Sequence, residues 1–177
     1  MLIARQLKHT NIAEYLLYMW SVEDLIRAFN LNLETINEQV ISKYQVSDDV
    51  KREIFEWYES LIDMMLQESV TVKGHIQLNK NILILLNEMH QELLTSGENV
   101  AYNAKFYSIL PTINLLKSKS NDQSVSDIET CFIFLYGILS LKHTQQTITP
   151  ETAHAQQEIV KFLALLSKKF NESKTVE

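Results

Sequence analysis

Residues 126–143 read SDIETCFIFLYGILSLKH, and this stretch decides the fold class. Ser126 is followed three residues later by Glu129, which is the pattern of a capping box at the start of a helix. Almost every side chain after it is apolar, whereas a helix at a protein surface keeps one polar face. We therefore predict a helix at the centre of a helical bundle, packed on several sides.

Gly137 lies in the middle of this stretch. A glycine inside a helix costs roughly 1 kcal/mol relative to alanine, so its presence there needs a reason. A residue without a side chain lets two helix backbones approach closely. We therefore expect another helix to cross at Gly137.

The composition of the whole chain favours the same fold class. Its 177 residues are enough for one hydrophobic core. They include only three glycines and two prolines, too few for the turns of a sandwich, a barrel or a dinucleotide-binding sheet. We predict a single all-α domain over residues 1–177, a bundle of about six or seven helices with 126–143 as the sixth. Residues 1–10 and 171–177 are expected to be loosely ordered ends.

Periodicity and capping signals place the other helices. They are expected at about residues 11–30, 32–44, 48–69, 75–96, 100–119 and 149–170. Pro111 lies inside the fifth of these, which predicts a kink or two shorter helices. Residues 70–74 and 118–124 interrupt the pattern and are expected to connect helices.

Charge and motif content argue against several classes of function. The net charge is −6, so the basic footprint of a protein that binds nucleic acid or a membrane surface is missing. Cys131 is the only cysteine, which excludes an internal disulfide and a cysteine-based zinc site. A carboxylate-bridged metal centre needs two Glu-x-x-His pairs, and the chain has only Glu151 with His154. We expect no metal, no cofactor, no nucleic acid and no membrane partner.

The N-terminus has no apolar core or cleavage site of a signal peptide. The apolar run at 131–139 is much shorter than the roughly 20 residues needed to span a bilayer. These two observations predict a cytoplasmic protein.

Three charged residues fall on the apolar face of the first predicted helix. They are Glu23, Asp24 and Arg27. Because an unpaired buried charge is costly, each needs a charged partner, hydrogen-bond donors or a wet cavity. Glu23 and Arg27 are four residues apart and are expected to pair, which leaves Asp24 to find a partner elsewhere.

The fourth predicted helix also carries polar residues on its apolar face. His75 and Asn79 are one turn apart and can serve Asp24. His90 lies about 22 Å further along the helix and must belong to a different environment. The sequence therefore predicts a polar pocket in the bundle, lined by Glu23, Asp24, Arg27, His75 and Asn79.

This pocket has three interpretations. It is a structural network that fixes helix register, a ligand-binding pocket, or a catalytic site in which Asp24 or Glu23 works with His75. A water-accessible cavity lined by these groups favours a ligand or an enzyme. If these groups instead exclude water and hydrogen-bond one another, and an apolar patch is exposed elsewhere, an interaction protein is favoured.

Several short runs carry a resemblance to a known family. They are NIAEYLLYMW (11–20), EDLIRA (23–28), WY (57–58), LIDMM (61–65), GH (74–75), ETC (129–131) and LYG (135–137). In these runs the chain resembles, over nearly its whole length, a family of small all-helical bacterial proteins typical of Bacteroidetes and classed as a domain of unknown function. The resemblance implies a cytoplasmic all-α protein and carries no activity, substrate or catalytic residue.

These observations lead to one expectation and one alternative. We expect a non-enzymatic cytoplasmic helical module that binds a protein partner, a second copy of itself or a small ligand. The alternative is an enzyme that uses Glu23, Asp24, Arg27 and His75 inside the bundle for acid/base chemistry.

Overall fold

The computed structural model describes residues 1–120 and 124–174, and these residues form helices and no strand. The all-α prediction is confirmed. The described ranges contain eight α-helices rather than six or seven: α1 (Leu2–Thr10), α2 (Ile12–Ala28), α3 (Leu33–Gln39), α4 (Asp48–Gln67), α5 (Gln77–Thr95), α6 (Val100–Lys119), α7 (Asp127–His143) and α8 (Pro150–Lys174). A short 3-10 helix, Ile41–Lys43, follows α3. None of the helices in these ranges has both the length and the apolar character needed to cross a membrane.

Helix α1 is the additional element, in a segment expected to be loosely ordered. Ala4 is buried while Leu2 and Ile3 are exposed, and the nine residues of α1 are fewer than the roughly 11 over which apolar periodicity is read. At the other end, α8 extends to Lys174, past the predicted end near residue 170. Residues 175–177 lie outside the described residues, as do residues 121–123 of the connection predicted at 118–124.

The remaining boundaries agree with the sequence to within a few residues, with two differences. The second predicted helix is split, because Val40 leaves the helical backbone conformation between α3 and the 3-10 helix. Pro111 does not divide α6, which is one helix from Val100 to Lys119. Pro111 and Tyr107 are both exposed, so the carbonyl that proline leaves without a donor lies on the solvent side.

Close contacts divide the described residues into two compact units. Unit 1 comprises residues 1–9 and 14–81, and unit 2 comprises residues 10–13 and 82–174. Unit 1 is packed around Trp20 and other side chains with almost no exposed surface: Leu16, Met19, Ile26, Ile36, Ile41, Met65 and Ile76. In unit 2, α6, α7 and α8 pack pairwise on one another. The prediction of a single domain over 1–177 stays a prediction.

Helix α7 departs from the prediction that it would be packed on several sides. Ile128, Phe132 and Ile138 are buried, but Ile133 is 50% exposed and Leu141 is 36% exposed. Gly137 is exposed too, and a Cβ placed there would meet no neighbouring atom within 4 Å. Within residues 1–120 and 124–174 no helix crosses closely at Gly137, so the predicted crossing is wrong: α6 and α8 cover other sides of α7.

Candidate functional site

The predicted polar site is built around the Glu23 carboxylate, which is fully buried in unit 1. Its Oε1 accepts hydrogen bonds from the Ile76 backbone N–H at 3.0 Å and from Asn79 Nδ2 at 2.8 Å. Its Oε2 lies 2.5 Å from His75 Nδ1. A carboxylate only accepts, so Nδ1 carries the hydrogen of that bond. The buried charge therefore has three donors, and the predicted contact between residues of α2 and the region of His75 is present.

Glu23 also caps the start of α5. The first N–H groups of a helix lack partners within the helix, and negative charge is favourable at that end. Glu23 takes the N–H of Ile76, directly before α5, and Glu68 Oε2 takes the N–H of Gln77 at 2.5 Å. The helix consequently begins at Gln77 and not at His75, as the sequence predicted. Two carboxylates from outside the helix supply its N-terminal acceptors.

His75 lies flat against Trp20, with ring centroids 4.1 Å apart and planes inclined by 11°. Its side chain is 27% exposed, and Nε2 makes no hydrogen bond to the part of the chain that is described. Glu23 and Trp20 therefore fix the orientation of the imidazole, with Nε2 on the side of the ring away from the carboxylate. This geometry is what a buried carboxylate imposes on a histidine in acid/base chemistry.

The predicted pairing of Glu23 with Arg27 is wrong. Arg27 Nη1 instead binds Asp24 Oδ1 at 2.7 Å, three residues earlier on the same helix. The Asp24 side chain is 53% exposed, so this carboxylate needs no buried partner. Glu23 is the residue that takes His75 and Asn79, because it points inward from α2 while Asp24 lies at the edge.

Arg27 holds the connection between α4 and α5. Its Nη2 donates to the Val70 carbonyl oxygen at 3.1 Å and also to the Gly74 carbonyl oxygen. Gly74 has φ +86°, a backbone conformation that favours glycine. One guanidinium thus joins both ends of residues 70–74, the segment that the sequence predicted to interrupt the helices.

All five predicted site residues lie in unit 1 and take part in these contacts. In the described part of the chain, the pockets we identify are lined by other residues. The one in unit 1 has a volume of about 150 Å³ and an apolar lining that includes Ile3, Tyr18 and Ile54. The role of the five residues in ligand binding stays a prediction.

Within residues 1–120 and 124–174, no three His, Cys, Asp or Glu side chains converge into a site that could hold a metal ion. Cys131 is fully buried, and burial raises the pKa of its thiol well above the ordinary value. The Cys131 thiol is therefore protonated and inaccessible, and the residue is part of the hydrophobic core.

His90, the other polar residue predicted on the apolar face of α5, lies in unit 2. Its Nδ1 is 2.8 Å from Tyr102 Oη, and the ring of Phe106 packs edge-on at 4.6 Å between centroids. Burial lowers the pKa of the imidazole, and the carboxylate of Asp127 opposes that shift only in part. His90 is therefore neutral inside an aromatic cluster, separate in sequence and in partners from Glu23.

Sequence reasoning missed a second kind of site, on the exposed side of α7. Ile133, Gly137 and Leu141 follow one another at intervals of four residues and are all exposed; we call them the outer α7 face. A groove of about 100 Å³ beside Ile133 has a largely apolar lining that includes Leu116 and Phe134. The signal was present in the sequence, because a helix that is apolar all round has no side suited to water.

The fold and these two regions define an all-helical protein with a buried, hydrogen-bonded carboxylate at Glu23 and an apolar outward helix face. The chain belongs to the family described as Domain of unknown function (DUF4924), whose model matches residues 1–177. No curated protein and no solved structure matches the chain.

Proposed function

We propose that this chain is a non-enzymatic cytoplasmic module that binds a protein partner through the outer α7 face. One observation carries the proposal: residues 131–139 of α7 are apolar on nearly every side of the helix, and one of those sides is exposed. Such a helix normally has protein on every side. The exposed side is therefore the place where another protein is expected.

The contrast with neighbouring exposed positions supports this proposal. Single exposed apolar residues are ordinary on protein surfaces. Between Ile133 and Leu141, however, Ser140 is the only exposed residue with a polar side chain. Exposed apolar residues grouped on one side of a helix are found at interaction surfaces.

The proposal is tested by placing a photo-crosslinking amino acid at position 133 in the full chain inside cells. Ile84 supplies the matched control, because it is an isoleucine within a helix and is 51% exposed. We expect protein crosslinks from position 133 and markedly fewer from position 84. Equal yields from both positions, or none from position 133, would overturn the proposal.

A second candidate is favoured by one observation, the half-exposed His75 ring oriented by Glu23. It proposes a small acidic or hydrogen-bonding ligand, or a substrate, that meets Nε2 of His75. The test is nitrogen NMR of His75 during a screen of small carboxylic acids and phosphates. A saturable shift of the Nε2 signal is expected, and an unchanged signal throughout the screen contradicts this candidate.

A further inference from the structure

We infer that the apolar pocket of unit 1 binds a small, uncharged, single-ring aromatic compound that carries a hydrogen-bond acceptor. The pocket lies among residues 1–3, Tyr18 of α2, residues 44–46 and Ile54 of α4. Neither the outer α7 face nor the Glu23 network contributes a residue to it, so the inference goes beyond the proposed function and stands without it. It follows from the size of the pocket, from its lining and from the phenol hydroxyls beside it.

The volume of the pocket limits the ligand to one ring. It is about 150 Å³, about the size of a protein cavity that accepts benzene and well below the roughly 300 Å³ or more of pockets for drug-sized ligands. A six-membered ring with one small substituent fills such a space. A helix of a partner protein, roughly 10 Å across, is too wide to enter it.

The lining suits the flat faces of an aromatic ring. Ile54 is buried and forms part of the apolar wall, while Tyr18 and Tyr44 add two phenol rings. Aromatic rings attract one another more strongly than their buried area alone accounts for. The pocket therefore favours a planar aromatic body over an aliphatic one of similar volume.

Three phenol hydroxyls lie near one another at this pocket. Tyr58 is buried, and its pKa is raised well above the ordinary value by burial first and then by Tyr44 and Tyr18. One contribution is a hydrogen bond with Tyr44, and because this bond stabilises the protonated Tyr58, Tyr58 is the donor. Tyr44 accepts that bond with its oxygen, so its own O–H is left to donate to an acceptor on the ligand.

The lining also selects against a charged ligand. Of the described residues that line the pocket, none has a charged side chain. Burial, and then the nearby Arg5, lowers the pKa of the Met1 amino group to about 6, so that group is mainly uncharged above pH 7. A carboxylate or an ammonium group would lose its hydration here without gaining an ionic partner.

The wall that carries Tyr44 is held by contacts within unit 1. Ile41 is fully buried, and the Tyr44 N–H donates to the Ile41 carbonyl oxygen at 3.1 Å. Lys51 Nζ of α4 donates to the Ser42 carbonyl oxygen at 3.2 Å. The pocket is therefore formed before a ligand arrives, which lowers the entropy lost on binding.

The test is methyl NMR of the purified full chain at pH 7.5 during titration with three single-ring compounds of similar size. Acetophenone carries an acceptor, ethylbenzene lacks one and benzoate adds a negative charge. Acetophenone is expected to shift the methyl signals of Ile3 and Ile54 saturably, with a dissociation constant on the order of 0.1–1 mM, and to leave Ile84 unchanged. Ethylbenzene is expected to bind about 3-fold to 10-fold more weakly, and benzoate about 10-fold or more weakly.

Two variants assign the binding to this pocket. Tyr44→Phe keeps the ring and removes the hydroxyl, so it is expected to weaken acetophenone about 3-fold to 10-fold and to leave ethylbenzene unchanged. The matched control is Tyr107→Phe, at a tyrosine that is 60% exposed on α6, and it is expected to change neither affinity. Val46→Phe is expected to fill the pocket and remove the shifts at Ile54, while an unchanged Ile84 signal shows that the chain is folded.

Four outcomes would overturn the inference. Unshifted signals of Ile3 and Ile54 at about 10 mM acetophenone would exclude the site. Equal affinities for acetophenone and ethylbenzene, or unchanged binding to Tyr44→Phe, would exclude the hydrogen bond from Tyr44. Tighter binding of benzoate would exclude an uncharged ligand. Shifts that follow the chain concentration without any added compound would show that a second copy fills the pocket. Each of these results leaves the crosslinks expected from position 133 unaffected, so the two proposals fail separately.

Discussion

Glu23 is a charged side chain with no exposure to solvent, whereas Ile133 is an apolar side chain that is half exposed. Glu23 contradicts the usual distribution of polarity as a buried charge, and Ile133 contradicts it only as part of the exposed apolar side of α7. The Glu23 contradiction is resolved inside the chain, because three donors surround the carboxylate. The Ile133 contradiction is not, because the described chain leaves that side of α7 uncovered. A buried charge whose hydrogen bonds the fold supplies has a structural role, whereas an apolar helix side that the fold leaves uncovered points to a partner.

The largest effect is expected from Glu23→Ala. It removes the acceptor from His75, Ile76 and Asn79, and it leaves buried donors without a partner. We expect the free energy of unfolding in urea to fall by about 3–5 kcal/mol. The matched control is Asp24→Ala, one residue away and half exposed, with an expected loss of about 1 kcal/mol or less. Equal losses in the two variants would refute the structural role of Glu23.

A smaller loss is expected from Arg27→Lys. Lysine keeps the charge but cannot reach Asp24 and the carbonyl oxygens of Val70 and Gly74 with one planar group. The free energy of unfolding should fall by about 1–2 kcal/mol. Amide exchange by mass spectrometry should become faster in residues 70–76, and an unchanged exchange rate there would show that Arg27 does not hold the connection.

The buried histidine of unit 2 predicts a dependence on pH. Because burial lowers the pKa of His90 in the folded state, the unfolded chain binds the proton first as the pH falls below about 6.5. The contribution of His90 is therefore a loss of stability on acidification, at most about 1.4 kcal/mol per pH unit. His90→Gln should remove that part of the slope in denaturation curves between pH 7.5 and 5.5, relative to His154→Gln, whose histidine is exposed. Identical slopes in the two variants would be inconsistent with a neutral His90.

On the outer α7 face, Gly137→Ala should stabilise the isolated chain. The new methyl group meets open space and the helix gains an alanine, so the free energy of unfolding should rise by up to about 1 kcal/mol. The measurement belongs at low concentration, where association does not contribute. A loss of stability would show that the chain's own packing requires the glycine.

The smallest effect on stability is expected from Ile133→Lys. The side chain makes few contacts within the chain, so the free energy of unfolding should change by no more than about 0.5 kcal/mol. The same change is expected to remove most partner binding through the outer α7 face. A loss above 2 kcal/mol would mean that Ile133 belongs to the core.

The sequence predicted the helices well because apolar periodicity and caps are local signals. The Ser126 side chain, for example, accepts from the Glu129 N–H at 3.1 Å, as the capping box requires. Helix α1 escaped prediction because its nine residues are too few for apolar periodicity to be read at the end of a chain.

The sequence predicted which residues form the candidate site but not which of them pair with one another. Helical wheels place Glu23, Asp24 and Arg27 on one broad face, but the two carboxylates point about 100° apart, and the packing of the neighbouring helices decides which one is buried. The carbonyl oxygens of Val70 and Gly74 are backbone groups and leave no sequence signal. The uncovered side of α7 depends on where α6 and α8 pack, which is a tertiary property.

The most direct test is hydroxyl-radical footprinting of the full chain, first purified and then in cell extract. Oxidation of Ile133 and Leu141 is expected to be lower in the extract, where a partner covers the outer α7 face, while oxidation of Ile84 and His75 stays the same. Protection of His75, or unchanged oxidation of Ile133 in the extract, would contradict the claim that the Glu23 network acts within the chain and the outer α7 face binds a partner.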